Sequence, residues 1–149
     1  EVDVLFGKIG TVKDPGNLGT IIRTADWFGI KNILLSEDCV DPYNEKVVRS
    51  TMGSIFRATI VESENILKDL IELKKESYEV VGLQMQGDNA LKTKFSEKSI
   101  VVFGSESHGI SPTVQKFLDK SCTIPKIGDA ESLNVGIAVG IVLSQITST

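Results

Sequence analysis

The chain has 149 residues, is 41% hydrophobic and 24% charged, and carries a net charge of −4. That is the size and balance of one compact domain that buries a core without a disulfide or metal staple. The acidity argues against a free-standing nucleic-acid binder, whose affinity comes largely from neutralised phosphates. Cys39 and Cys122 lie far apart and there is one histidine, His108. A structural zinc site is therefore not expected, and the thiols read as reduced residues of a cytoplasmic protein. The longest apolar run, residues 133–143, is much shorter than the roughly 20 residues of a membrane span.

Short apolar runs alternate with amphipathic ones. Residues 2–6 read as a buried strand. Residues 17–28 read as a helix with Asn17 as N-cap, Gly29 past its end and an apolar stripe of Leu18, Ile21, Ile22, Ala25 and Phe28. A strand is expected at 32–35, a short helix at 44–51 and a strand at 55–61. Ser63 is expected to cap a helix running to Lys75, with strands at 78–83 and 99–103 and a polar surface loop at 87–98. Pro112 opens a helix to residue 119, 121–124 forms the last strand and a long helix fills 133–146. Such alternation predicts an α/β fold, a mostly parallel sheet flanked by helices.

Three glycine-bearing loops interrupt this pattern. The first, Asp14-Pro15-Gly16-Asn17-Leu18-Gly19, leads into the first helix, whose N–H groups suit an anion. Arg23 lies one turn beyond Gly19 and Asp26 three residues further, on one face. A side chain at 19 is expected to crowd the guanidinium, and Asp26 to hold it. The bland alternative is a capped helix with a surface ion pair.

The second loop, Gly104-Ser105-Glu106-Ser107-His108-Gly109, follows a buried strand. A dinucleotide fingerprint needs glycine where Glu106 stands, and a P-loop needs lysine where Ile110 stands. A carboxylate there suits a cationic or hydroxyl-rich ligand instead, or belongs to a plain turn. The third loop runs from Ile124-Pro125 through Ile127 and Gly128 to Ser132-Leu133-Asn134. Ser132 reads as the cap of the last helix with Asn134 in its first turn, an unusual place for an unpartnered amide. Ile124, Ile127 and Leu133 offer apolar walls to a ring.

Taken in order, Asn17-x-Gly19-x-x-x-Arg23-x-Ala25, Gly104-x-Glu106-x-x-Gly109, and Ile124-Pro125-x-x-Gly128 with Ser132-Leu133-Asn134-Val135 resemble the three motifs of the SpoU (TrmH-like) RNA 2′-O-ribose methyltransferases of the SPOUT superfamily. The resemblance spans nearly the whole chain, and Gly136 stands where the family often has serine. It implies a C-terminal trefoil knot, which no periodicity argument would find. It also implies S-adenosylmethionine as methyl donor, without a metal. This ligand is a sulfonium with an α-ammonium and a ribose diol, as the second loop asks.

By this likeness the cofactor pocket comprises Leu83, Gln84 and Met85, then Gly104, Ser105, Glu106 and Gly109, then Ile124, Pro125, Ile127, Ser132 and Leu133. Arg23 is the central catalytic residue, read here as a phosphate clamp oriented by Asn17, while Glu106, Ser132 and Asn134 order the site and hold the ribose. The substrate is ribosomal or transfer RNA. A homodimer is expected through the last helix, where Gly136, Gly140 and Ser144 form a small-residue groove. An N-terminal RNA-binding domain often precedes this domain in the family, so residues 1–149 alone are expected to bind RNA weakly. Two other readings stay open at this stage, an inert RNA-binding homologue and a nucleotide-binding domain of another class.

Overall fold

The computed structural model describes residues 2–6 by their backbone, and residues 12–104 and 109–148 in full. In chain order the elements are β1 (Val2–Phe6), α1 (Pro15–Trp27), β2 (Asn32–Leu35), α2 (Glu45–Ser50), a 3-10 turn (Ser54–Phe56), β3 (Thr59–Glu62), α3 (Ile66–Lys75), β4 (Glu79–Asn89), β5 (Ser99–Phe103), α4 (Pro112–Gln115), β6 (Lys120–Thr123) and α5 (Val135–Thr147). The strands form one six-stranded sheet in the order β3-β2-β1-β5-β4-β6. Every recorded pairing is parallel. The expected α/β class is thus met.

Helices cover both faces. Every residue of β5 is buried, as a central parallel strand requires. Its period of two divides it between two apolar clusters. Val101 and Phe103 face the cluster that holds Leu18, Ile21, Ile22 and Ala25 of α1 with Val139, Val142 and Leu143 of α5. Ile100 and Val102 face Ile66 and Leu70 of α3 with Val114 of α4. Each fully buried aliphatic side chain is worth about 1.5–3 kcal/mol relative to exposure.

Several boundaries move from their sequence expectations, each for a local reason. Helix α1 starts two residues early because Asp14, not Asn17, is its cap: the Asp14 carboxylate accepts the Asn17 N–H at 3.0 Å. With Pro15 also lacking an N–H, this helix end is less open to an external anion than expected. Helix α3 is capped by Asn65, whose Oδ1 accepts the Lys68 N–H, while Ser63 donates its hydroxyl to Asp69 instead. The strand expected at 55–61 is a 3-10 turn followed by β3. Helix α4 is cut short because Asp119 is drawn to β4, its N–H donating to Val80 O and its carboxylate accepting Val80 N–H. Strand β4 runs on to Asn89, into the expected loop, because it pairs twice with β6. Helix α5 is capped by Asn134, not Ser132.

Gly19 is explained by packing rather than by Arg23. A Cβ there would lie 2.2 Å from the Ser50 Cβ and 3.0 Å from the Val47 carbonyl oxygen, so Gly19 is where α2 rests on α1. Gly19→Ala improves intrinsic helix propensity by about 1 kcal/mol yet forces these helices apart. We expect a net loss of about 1–3 kcal/mol in urea unfolding. A variant as stable as the parent would show that α2 yields freely.

Candidate active site

A cleft of about 1080 Å³ opens at the carboxyl ends of β4, β5 and β6, the side of a parallel sheet where ligands bind. Strand β4 contributes Leu83, Gln84, Met85 and Gln86, and β5 ends in it with Phe103 and Gly104. Gly109 and Ile110 follow, then residues 123–126, then residues 130–133 with Val135 and Ala138 of α5. The walls are pinned by polar contacts. Gln84 donates Nε2 to Ser121 Oγ at 2.7 Å, and the Thr123 hydroxyl donates to the Met85 carbonyl at 3.3 Å.

Of the residues singled out in the sequence, Leu83, Gln84, Met85, Gly104, Gly109, Ile124, Pro125, Ser132 and Leu133 line this cleft. Ile127 does not: it is 99% exposed and offers no wall. Ser105, Glu106 and His108 lie outside the described residues. Gln86, Gln115, Lys126 and Glu131 also line the cleft, unanticipated from the sequence. Gln115 donates Nε2 to the Ile110 carbonyl at 2.9 Å and so ties α4 to the end of the second loop. For Gln86 a signal existed, since glutamines alternate with Leu83 and Met85 at the end of an otherwise apolar strand.

Gly104 and Gly109 belong to one constraint. A Cβ on Gly104 would sit 2.3 Å from the Gly109 carbonyl carbon, and Gly109 has φ +66°. The loop thus returns on its own start, which demands a bare backbone at one end and a left-handed residue at the other.

The first and third loops meet through side chains. Asn134 accepts the Ile137 N–H on Oδ1 at 3.2 Å and donates Nδ2 to Asn17 Oδ1 at 3.1 Å. Asn17 therefore spends its oxygen on Asn134. Arg23 is exposed and makes no hydrogen bond or ion pair among the described residues. Its expected partner is engaged elsewhere. Asp26 accepts Nε and Nη2 of Arg57 at 2.9 and 2.7 Å and the Ser54 hydroxyl at 2.8 Å. The Arg57 guanidinium foremost, then the Ser54 hydroxyl, hold the Asp26 carboxyl below its ordinary pKa. This clamp fastens the 3-10 turn to α1 and leaves Arg23 uncommitted.

Burial pushes the Cys122 thiol up, so it stays protonated at neutral pH and is no nucleophile. Among the described residues no three His, Cys, Asp or Glu side chains cluster as metal ligands.

Removing the guanidinium from the clamp tests its share of the charge balance. In Arg57→Gln the Asp26 carboxyl should titrate at higher pH than in the parent, followed by its ¹³C resonance. An unmoved titration would show that Ser54 alone accounts for the depression.

Comparison with known proteins gives a consistent result. Residues 9–144 match the SpoU rRNA Methylase family. The chain is 37% identical over 139 residues to the 23S rRNA guanosine 2′-O-methyltransferase RlmP of Bacillus subtilis, covering 93% of this chain and 56% of that protein. The structure of a putative RNA methyltransferase of the TrmH family from Porphyromonas gingivalis superposes with a TM-score of 0.88 at 36% identity, covering 97% of this chain and 58% of that one. An AdoMet-bound rRNA methyltransferase from Sinorhizobium meliloti gives 0.87 at 34% identity, covering 97% and 55%. The chain spans about half the length of the curated relatives it matches. With the ends of the second loop and the third loop lining one cleft and a family match over nearly all of its length, the chain belongs to the SpoU rRNA methylase family.

Proposed function

We propose that residues 1–149 form the catalytic domain of an S-adenosylmethionine-dependent RNA 2′-O-ribose methyltransferase acting on ribosomal or transfer RNA. The observation that carries this reading is the bridge between Asn134 and Asn17, which ties the cleft-lining third loop to the helix that bears Arg23. The names of the relatives, including a 2′-O-methyltransferase and an AdoMet-bound rRNA methyltransferase, support it.

The cleft fits the donor by its chemistry. Its volume, about 1080 Å³, suits a nucleoside-sized ligand, and Leu83, Ile124 and Leu133 supply apolar contact for a ring. Glycine-rich backbone at 104 and 109 leaves main-chain groups to read the ring edge and the ribose. Ser105 and Glu106, outside the described residues, complete that loop in the proposal. When bound, S-adenosylmethionine supplies an electrophilic methyl group on a sulfonium.

The protein's task is to hold and activate a weakly acidic 2′-hydroxyl. Arg23, exposed and uncommitted, clamps the adjacent phosphate and favours the alkoxide-like transition state. A guanidinium keeps its proton in proteins and is a poor proton acceptor. Ser132, on the cleft wall, faces the incoming ribose, while Asn17 and Asn134 order the helix ends beside it.

Three finer points belong to the same proposal. The first is a trefoil knot, supported by the double register of Cys122 of β6 with Leu83 and again with Asp88 of β4. The second is a cytoplasmic setting, supported by two free cysteines; no described helix is long and apolar enough to cross a membrane.

The third is a homodimer. The small-residue groove does not face a partner, as sequence suggested: Gly136 and Gly140 abut Thr20 and Thr24 of α1 in the same chain, with Cβ positions 3.4 and 3.7 Å from the threonine methyls. What remains open is the adjoining face, where Trp27 is 84% and Ile137 54% exposed. We place the interface there, next to Arg23.

Two measurements test the reading. Arg23→Lys keeps the charge but loses the planar fork; methyl transfer from labelled S-adenosylmethionine to RNA should fall ~100-fold or more, while calorimetry still registers the donor. Wild-type turnover would remove Arg23 from the mechanism. For the dimer, light scattering should give twice the protomer mass, and Ile137→Glu should halve it; a monomeric parent at micromolar concentration would refute the interface.

A further inference from the structure

We propose that Asn134 is a positioning residue acting through Asn17: their amide relay fixes the Asn17 carboxamide so that its NH₂ group, not its oxygen, is offered to a phosphodiester oxygen of RNA. The inference rests on the methyltransferase reading above and adds a direction to one of its contacts.

The relay has only one possible polarity. The Ile137 N–H at the start of α5 is a donor and nothing else, so the Asn134 atom 3.2 Å from it must be the oxygen. The Asn134 NH₂ is then left to face Asn17, at 3.1 Å. An amide that receives an NH₂ must present its own oxygen. Asn17 thus turns its NH₂ away from the bridge, and that group has no acceptor among the described residues. The backbone of α5 sets the orientation of a side chain on α1, 117 residues away in sequence. Amide assignments are commonly ambiguous because O and N look alike; here a main-chain donor removes the ambiguity.

The placement gives the direction a use. Asn134 stands between Leu133 and Val135, both on the cleft wall, and Asn17 lies in the first turn of the helix that carries Arg23. Asn17 is itself held by its own N–H on Asp14 Oδ1 at 3.0 Å. An NH₂ group with two hydrogens suits a partner that only accepts, and a phosphodiester oxygen is such a partner. The Asn17 oxygen already accepts from Asn134, and a neutral carboxamide is in any case not a base. Asn134 likewise spends its oxygen on the Ile137 N–H and its NH₂ on Asn17, contacts that orient Asn17.

The experiment reverses the relay without removing the cap. In Asn134→Asp the new carboxylate still accepts the Ile137 N–H, but it cannot donate. Asn17 must then turn its NH₂ inward and show its oxygen to RNA. In Asn134→Ser the cap persists and Asn17 is merely released. With the protein expressed from its full gene, both variants should melt near the parent. The KM for RNA should rise in the order parent, Asn134→Ser, Asn134→Asp, roughly tenfold or more for the last, with the loss falling on KM more than on kcat. Asn134→Asp should also regain RNA affinity relative to the parent as pH falls toward the carboxyl range near ~4, because the protonated acid can again donate to Asn17.

Equal KM in Asn134→Asp and Asn134→Ser, or no pH-dependent recovery, would overturn the relay. A loss confined to kcat would overturn the phosphodiester assignment. A parent protein that neither binds S-adenosylmethionine nor methylates RNA would instead defeat the underlying reading, which the parent's own assay registers separately.

Discussion

Helix α1 is confined on three sides, and the rest of the site depends on that confinement. Leu18, Ile21, Ile22 and Ala25 are fully buried toward the sheet. Gly19 lets α2 approach until no side chain fits between them, and Thr20 and Thr24 rest on Gly136 and Gly140 of α5. A helix has only one circumference, so three packed sides leave one open stripe: Gly16, Thr20, Arg23 and Trp27 are its exposed positions. Arg23 is presented because its neighbours around the helix are already in use. The Asp26 clamp to Arg57 and Ser54 completes this by absorbing the carboxylate that would otherwise neutralise it.

The cleft follows from a different constraint, the double pairing of β4 with β6. Strand β4 carries residues 84–86 past the end of its neighbour β5 and pairs with β6 again at Asp88 and Asn89. Residues 83–86 are thereby held open as a wall rather than folded over the sheet. Gln84 and Thr123 fasten that wall to β6 by hydrogen bonds. On the opposite side Gly104 and Gly109 lie so close together that no side chain fits at 104. Rigid strands thus hold the floor, and the variable chemistry sits in loops.

Between these two assemblies lies the asparagine pair. Among the described residues it is the one side-chain hydrogen bond between the first and third loops, and it couples the start of α5 to the start of α1. Both residues sit at helix beginnings, where main-chain N–H groups need acceptors. Asn134 serves the helix with its oxygen and the neighbouring loop with its nitrogen, so one carboxamide does a structural and a positioning task at once.

Much of this was legible in the sequence, and the boundary is physical. Short apolar runs located β1, β2 and β5 to the residue, and β5 is buried along its whole length. The helical stripe of α1 gave its buried face, and three ordered glycine loops pointed to one ligand site and one family. Local pattern could not tell which of several capping residues wins. Asp14 displaced Asn17, Asn65 displaced Ser63 and Asn134 displaced Ser132, each accepting a main-chain N–H in the first turn of its own helix. Nor could it say what a glycine avoids: Gly19 avoids Ser50, Gly104 avoids Gly109, and Gly136 and Gly140 admit α1 rather than a partner. The extension of β4, the transfer of Asp26 from Arg23 to Arg57 and the direction of the asparagine relay all depend on contacts between residues far apart in sequence. Periodicity records which face of an element is apolar; only the folded chain decides which neighbour meets it.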